Sequence, residues 1–219
     1  MPAVSPMIAA PGDSLQQVLA RMDKAANEFK SMTAQVTYVT HTDVLNENDT
    51  ETGTMTMKKV QAGEVQGRVD FTSPDPKSIT FEKHRVQEYL PKLKTLQVFD
   101  LAKHGELVDK FIMLGFGSSG TELAKDYDVT VLGMENWQGQ PSVHLELLPK
   151  LADIKQYVQR IELWVPQQGD PYPLHEKIQE PSGDYRLVTY TGLKINPSLP
   201  SDALKLKLPA GVEIVHPGK

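Results

Sequence analysis

Three glycines, Gly115, Gly117 and Gly120, have the spacing of the Gly-x-Gly-x-x-Gly loop that binds dinucleotides. In that loop a strand precedes the glycines, and the amide end of the following helix holds a pyrophosphate. Here the residues before Gly115 have helical periodicity, and the later segments are strands without helical crossovers. The pattern therefore favours a flexible loop between two helices, and we expect no nucleotide cofactor.

Histidine, serine and carboxylate residues form no recognisable catalytic or metal-binding motif. The six histidines are spread over different segments with no pair at ligand spacing, so we expect no metal ion. The segment Gly117-Ser-Ser-Gly120 lacks the Gly-x-Ser-x-Gly frame of a serine hydrolase. A solvated strand face explains Glu146, Glu162, Glu176 and Glu180. The sequence therefore predicts a protein that is not an enzyme.

Composition excludes several classes of protein. The chain has 219 residues, of which 39% are hydrophobic, and this is enough to bury a core. The absence of cysteine excludes disulfides, thiolate metal sites, thiol nucleophiles and an acylated cysteine anchor. The net charge is -5 and the 23 lysines and arginines are scattered, so we expect no nucleic acid partner. No apolar run approaches the roughly 20 residues that span a bilayer.

The first twelve residues differ in character from the rest. Residues 1–12 are small, apolar and uncharged, but two prolines and the missing basic start make a poor signal peptide. We expect a flexible leader, with a signal peptide either absent or already trimmed. Residues 13–219 are expected to form a single domain.

The remaining chain predicts one helix, a run of strands, a helical insert and a second run of strands. Apolar residues from Leu15 to Phe29 recur at intervals of three and four, which predicts an amphipathic helix capped by Asp13 or Ser14. A period of two begins at Met32. Strands are predicted from residue 32 and at 52–59, 65–72, 78–83, 87–90, 95–99, 128–134, 142–148, 156–165, 174–179, 185–194 and 203–208, and helices at 101–114 and 120–127.

Short connections between these strands require antiparallel pairing, since a parallel crossover needs about a dozen residues. A twisted sheet of about ten or eleven strands must curl or split. The first helix and the helical insert can then plug the inside of the curl. The predicted fold class is α+β, mainly β, an unclosed antiparallel barrel with a helical plug or lid.

Bulky apolar residues are candidates for the wall of an internal cavity. Aromatic residues make up only 7% of the chain, which leaves room for methionine and aliphatic walls. Each of these side chains is also compatible with ordinary core packing. The cavity candidates are Met55, Met57, Phe71, Phe81, Phe99, Phe111, Trp137 and Trp164.

The order of short motifs after residue 13 resembles the LolA family of lipoprotein carriers and its lipoprotein-sorting relatives. The tail contributes a strand-like run from Tyr185, then Asn196-Pro197, and the closing Leu208-Pro-Ala-Gly-Val212. The other motifs are the opening helix to Phe29, Gly53-Thr-Met-Thr-Met-Lys-Lys59, Phe71-Thr-Ser-Pro74, Lys110-Phe-Ile-Met-Leu-Gly-Phe-Gly117, Tyr127-Asp-Val-Thr-Val-Leu-Gly133, His144-Leu-Glu-Leu-Leu-Pro-Lys150, Ile161-Glu-Leu-Trp164 and Pro181-Ser-Gly-Asp184.

The resemblance implies a periplasmic carrier that shelters lipoprotein or lipid acyl chains for transfer to the outer membrane. It implies an inner-membrane releasing complex and an outer-membrane acceptor as partners, a monomer, and no cofactor. Family members latch the lid with an arginine that precedes a proline. This chain has Lys58-Lys59-Val60 there, so Lys59 and Arg68 are the latch candidates. The alternative is a lipid- or peptide-sensing regulatory protein on the same fold.

Overall fold

The computed structural model describes residues 14–61, 64–82, 84–100 and 114–217. Three helices and twelve strands are described within these ranges. The helices are α1 (Leu15–Glu28), α2 (Gly120–Asp126) and α3 (Ala152–Lys155). The strands are β1 (Ser31–Thr42), β2 (Glu47–Gln61), β3 (Glu64–Ser73), β4 (Lys77–Glu82), β5 (Arg85–Leu90), β6 (Thr95–Asp100), β7 (Tyr127–Trp137), β8 (Gln140–Pro149), β9 (Arg160–Pro166), β10 (His175–Gln179), β11 (Tyr185–Ile195) and β12 (Glu213–Val215).

All twelve strands belong to one sheet, ordered β12-β6-β5-β4-β3-β2-β1-β11-β10-β9-β8-β7. Every neighbouring pair is antiparallel except β12 with β6. The two outermost strands, β12 and β7, do not pair with each other, so the sheet is not closed. The predicted mainly β, unclosed architecture is confirmed.

Helix α1 begins and ends where side chains satisfy its free backbone groups. The Gln17 amide donates to Ser14 Oγ, and the Ser14 amide donates to Gln17 Oε1 at 2.7 Å, which is a capping box. At the other end Asn196 Nδ2 donates to the Glu28 carbonyl at 3.0 Å, and the Lys30 amide donates to Asn196 Oδ1 at 2.7 Å. The tail residue Asn196 therefore fixes the exit of the helix.

The helix lies on one face of the sheet and divides its packing between two clusters. Val18 and Met22 pack with the buried residues of β8 and β9, including Leu145 and Leu163. Ala25 and Phe29 pack with β1 to β4 and with three aromatic residues, Phe116, Tyr172 and Tyr190. We call this face of the sheet the inner face and the opposite one the outer face.

Two expectations about secondary structure were wrong, one short helix was not predicted, and other expectations lie outside the described residues. Residues 203–208 are not a strand; the final strand is β12, which follows a turn at Gly211. The strand predicted at 156–165 begins only at Arg160, as β9. The short helix α3 was not predicted. The leader 1–12 and the predicted helix 101–114, except Leu114, lie outside the described residues.

Candidate functional site

Strand alternation decides which side chains face the helix. Register pairs Tyr38 of β1 with Val188 of β11, Val188 with Glu176 of β10, and Glu176 with Leu163 of β9. Paired residues point to the same side of a sheet, and successive residues point to opposite sides. Because Leu163 belongs to the core beneath α1, this whole row lies on the inner face.

An inner-face pocket of about 570 Å³ follows this row. That volume lies in the range of about 300 to 1,000 Å³ that is typical of small-molecule sites. It is lined by Tyr38, Met55, Tyr157, Val158, Glu176, Ile178, Glu180, Arg186, Val188 and Tyr190. We call it the inner pocket; most of its wall is aliphatic or aromatic.

The mouth of the inner pocket lies at the end of the sheet where β10 turns into β11. Glu180 and Arg186 flank that turn and form an ion pair of 2.7 Å. The β1–β2 turn lies at the same end, since the Asp43 amide donates to Asp184 Oδ1 at 2.8 Å. Charged groups therefore mark the opening, and apolar groups form the interior.

One acidic side chain, Glu176, lies inside the inner pocket. It is 4% exposed, and Tyr190 Oη donates to its Oε2 at a long 3.4 Å. Burial raises the pKa of Glu176 from 4.5 to about 8, although the Tyr190 hydrogen bond acts in the opposite direction. At neutral pH the neutral carboxylic acid therefore predominates. The solvated position expected from sequence was wrong for Glu176, and also for Glu162, which is 9% exposed on the outer face.

Two aromatic residues that are not among the predicted cavity candidates, Phe116 and Tyr172, border the pocket. The rings of Phe116 and Tyr172 stack with centroids 5.8 Å apart, and Phe116 meets Tyr190 edge-on at 5.0 Å. Tyr172 also donates to the Ala25 carbonyl of α1 at 3.2 Å. The period of two in β1 and β11 could have identified Tyr38 and Tyr190, whereas nothing in the sequence pattern placed Phe116 and Tyr172 together.

The predicted cavity residues of β2 to β4 lie near the inner pocket or in the core beside it. Met55 lines the pocket. Met57, Phe71 and Phe81 are buried in the cluster that contains Tyr190, and Phe71 meets the pocket residue Tyr38 edge-on at 6.2 Å. Phe99 pairs with Val86 further along the sheet. Phe111 lies outside the described residues.

The structure does not bring the two tryptophans to the inner pocket. Trp164 pairs with His144 and His175, one position out of step with the core residue Leu163, so it lies on the outer face. Trp137 stacks on His175 at 3.8 Å, and His144 stacks on Trp164 at 4.1 Å. We call Glu135, Trp137, His144, Glu162, Trp164 and His175 the outer cluster.

Hydrogen bonds hold the outer cluster together. Trp164 Nε1 donates to Glu135 Oε2 at 2.7 Å, and the two nitrogens of His144 lie 2.8 and 2.9 Å from oxygens of Glu135 and Glu162. The Trp164 hydrogen bond holds the pKa of Glu135 below its ordinary value. Burial lowers the pKa of His175 to about 4. Within the described ranges no group of histidine and acidic residues has the arrangement of a metal site.

The two latch candidates hold different parts of the chain. Lys59 Nζ donates to the Ala26 carbonyl in the last turn of α1 at 2.9 Å. Arg68 lies on the outer face, where it donates to the Lys205 carbonyl at 2.6 Å and to Asp70 Oδ1 at 2.8 and 3.0 Å. Lys59 therefore fixes the helix, and Arg68 fixes the tail. A second pocket of about 370 Å³ lies between Leu204–Leu208 of the tail and the outer face.

Two of the three glycines, Gly115 and Gly120, have packing roles. A Cβ on Gly120 would lie 2.2 Å from the Leu19 carbonyl oxygen, so only glycine lets α2 approach α1 this closely. Gly115 has a φ of +78°, and a Cβ there would lie 2.5 Å from the Pro173 ring. Helix α2 is capped by Ser119. Close packing therefore accounts for glycine at positions 115 and 120.

No family model and no curated protein matches the chain. Solved structures do match it. An uncharacterized conserved protein from Thermus thermophilus aligns over 93% of this chain and 99% of that chain, with a TM-score of 0.54 and 16% identity. MucB aligns over 88% of this chain and 62% of that chain, with a TM-score of 0.52 and 19% identity. The LolA superfamily protein NE2245 from Nitrosomonas europaea aligns over 90% of this chain and 99% of that chain, with a TM-score of 0.43 and 15% identity.

These identities establish a likeness of fold alone. The fold is an unclosed, mainly antiparallel sheet that packs one face against a helix, which is the architecture expected from the sequence. In the part of the chain that the structure describes, no helix has the length and apolar character to cross a bilayer.

Proposed function

We propose that this protein is a periplasmic carrier that holds acyl chains of lipoproteins or related lipids in the inner pocket. Its role is to shelter the chains from water until an outer-membrane acceptor receives them. It acts as a monomeric single domain, without a cofactor and without catalysing a reaction. The releasing complex of the inner membrane and the outer-membrane acceptor are its proposed partners.

The observation that carries this proposal is the apolar wall of the inner pocket. Met55, Ile178 and Val188 line a space of about 570 Å³ that their own side chains leave unfilled. Each acyl methylene moved there from water contributes about 0.8 kcal/mol. Binding therefore needs no covalent bond, and release needs only an acceptor that offers a similar gain.

The test is to fill the pocket by mutation and measure uptake of an acyl chain. Val188→Trp places a large ring in the inner pocket, because Val188 lines it. Leu187→Trp is the matched control, because Leu187 is the adjacent residue and faces outward with Lys177. Each protein is incubated with a palmitoylated peptide and its complex is measured by native mass spectrometry.

We expect the wild type and Leu187→Trp to bind one acylated peptide at micromolar protein, and Val188→Trp to lose most of the complex. The same peptide without its acyl chain gives the background. Absence of any acyl-dependent complex with the wild type would reject the carrier function. Equal binding by the two tryptophan variants would place the acyl chain elsewhere.

A second candidate is a regulatory protein that binds a peptide or protein. The outer edge of β7 has no strand partner among the described residues, and its Leu132 and Met134 are 50% and 42% exposed. An unpaired edge can accept an added strand. A partner recovered from a delipidated periplasmic extract by wild type and Val188→Trp, but not by Leu132→Lys/Met134→Lys, would favour this function.

A further inference from the structure

The inner pocket has one feature that apolar burial alone does not explain. A fully apolar wall would suffice to hold hydrocarbon, yet Glu176 lies among Val188, Ile178 and Tyr38 with 4% exposure. Burying a carboxyl group away from water costs free energy unless a partner compensates. A polar group in this position therefore calls for a partner.

The partners that the protein provides do not use the full capacity of this carboxyl. Tyr190 is its hydrogen-bond partner among the described residues, as a donor at 3.4 Å. A protonated carboxyl has an O–H donor in addition to its acceptor oxygens. The Tyr190 contact occupies an acceptor position, so the O–H donor remains for a ligand.

The surroundings favour a neutral ligand group over a charged one. The other titratable or charged side chains of the pocket are Tyr38, Tyr157, Glu180, Arg186 and Tyr190. Arg186 is paired with Glu180 at 2.7 Å, and the pKa values of Tyr38 and Tyr190 are raised mainly by burial, so both rings remain neutral. A cationic group would require an ionised carboxylate, which burial disfavours here. A carbonyl oxygen instead accepts from a neutral acid.

We propose that Glu176 is the polar anchor of the inner pocket and donates a hydrogen bond to the ester or amide carbonyl of a bound acyl group. This inference rests on the proposed carrier function. It makes the pocket selective for acyl chains over plain alkyl chains of the same length. It also sets the depth to which the chain enters, because the carbonyl stops at the carboxyl.

The experiment compares two sugar detergents below their micelle concentrations, an N-decanoyl amide and a decyl ether, by isothermal titration calorimetry. Only the first has a carbonyl. Glu176→Gln keeps a neutral donor, and Glu176→Met removes it at similar size. Glu146→Gln, on the outer face of β8, is the control. Unfolding midpoints confirm that each variant is folded.

We expect Glu176→Met to lower the affinity for the amide about five-fold, which corresponds to the loss of one net hydrogen bond. Affinity for the ether stays unchanged, and Glu176→Gln retains the amide affinity within about two-fold. Equal losses for both detergents would overturn the anchor and leave the carrier function standing. Failure of the wild type to bind either detergent would overturn both.

A pH series keeps the inference testable if Glu176→Met does not fold. Above about pH 8 the wild-type carboxyl ionises and loses its donor, so amide affinity falls while that of Glu176→Gln does not. A wild-type amide affinity that stays constant from pH 6 to pH 10 would overturn the proposed anchor.

Discussion

Lys59 Nζ lies 2.9 Å from the carbonyl oxygen of Ala26, and this contact ties β2 to the last turn of α1. That carbonyl is one of the helix's last four, which have no partner within the helix. A cation there also interacts favourably with the negative end of the helix dipole. The contact therefore holds the helix that covers the inner face.

Lys59→Met is expected to lower the free energy of unfolding by about 1 kcal/mol, because it removes both the hydrogen bond and the charge. Lys58→Met is the matched control, since Lys58 is exposed on the opposite side of the same strand. Urea denaturation measures both. Equal stabilities for the two variants would show that Lys59 does not hold the helix.

Arg68→Met is expected to loosen the tail and leave the inner pocket unchanged. The substitution removes the bond to the Lys205 carbonyl, and charged hydrogen bonds of this kind contribute about 1.5 to 3 kcal/mol. Hydrogen exchange of residues 200–212 should accelerate about ten-fold, with acyl affinity unaltered. Arg85→Met, an exposed arginine of β5, is the control. Weaker acyl binding by Arg68→Met would contradict this prediction and would support Arg68 as the lid latch.

The parts of the fold that could be predicted from sequence are those in which local pattern and final packing agree. Helix α1 was predicted because Val18, Met22 and Ala25 repeat at helical spacing and Ser14 can cap the start of the helix. The alternation of leucines and lysines in residues 203–208 predicted a strand that does not form, because these residues have no neighbouring strand to pair with. Those residues instead lie over the outer face, where Arg68 binds the Lys205 carbonyl.

The site was harder to predict because the two faces of a strand differ by one residue. Both faces of β8 and β9 are buried, so bulky residues did not reveal which side was the core. Trp164 is 7% exposed on one face, and Leu163 is 0% exposed on the other. Glu176 lies between His175 and Lys177, and only the register of β10 with β9 turns it inward.

Intrinsic tryptophan fluorescence should not respond to a quencher inside the inner pocket. The chain has two tryptophans, and both belong to the outer cluster. A brominated acyl chain quenches only rings that it touches. We expect wild-type emission to change little on binding, whereas Tyr38→Trp, which places a ring in the pocket wall, is strongly quenched. Strong quenching of the wild type would show that the acyl chain binds at the outer cluster.

The turns at the pocket end of the sheet carry exposed apolar residues. Val44 is 86% exposed and Leu45 is 64% exposed in the β1–β2 turn, and Leu93 of the β5–β6 turn is 69% exposed. Antiparallel order places both turns at the end where the inner pocket opens. In a carrier that takes acyl chains from a bilayer, these side chains can contact the membrane surface.

Val44→Ser/Leu45→Ser is expected to slow transfer of a fluorescent acyl chain from phosphatidylethanolamine–phosphatidylglycerol vesicles about a hundred-fold, since burying each original side chain stabilises contact by about 1.5 kcal/mol or more. Equilibrium affinity for a soluble acyl detergent should not change. Val60→Ser is the control, because Val60 is 48% exposed at the opposite end of β2. Equal transfer rates for both variants would exclude these turns from membrane contact.

Glu176 should make the stability of the protein fall as pH rises. Its pKa is raised from 4.5 to about 8 in the folded state, so between these values the folded protein keeps a proton that the unfolded chain releases. The free energy of unfolding therefore decreases with pH, by at most about 1.4 kcal/mol per unit from this group. Below pH 4.5 the carboxyl is neutral in both states and has no such effect.

Glu176→Gln removes this dependence, so its stability relative to the wild type should increase from pH 4.5 to pH 8. Urea denaturation at pH 4.5, 6 and 8 measures the difference. The His175 pKa, lowered by burial to about 4, makes stability fall as pH drops from 6.5 to 4. Both proteins share that effect, so it cancels in the comparison. A difference that stays constant with pH would mean that Glu176 is ionised in the folded protein, and the inner pocket would then lack a neutral donor.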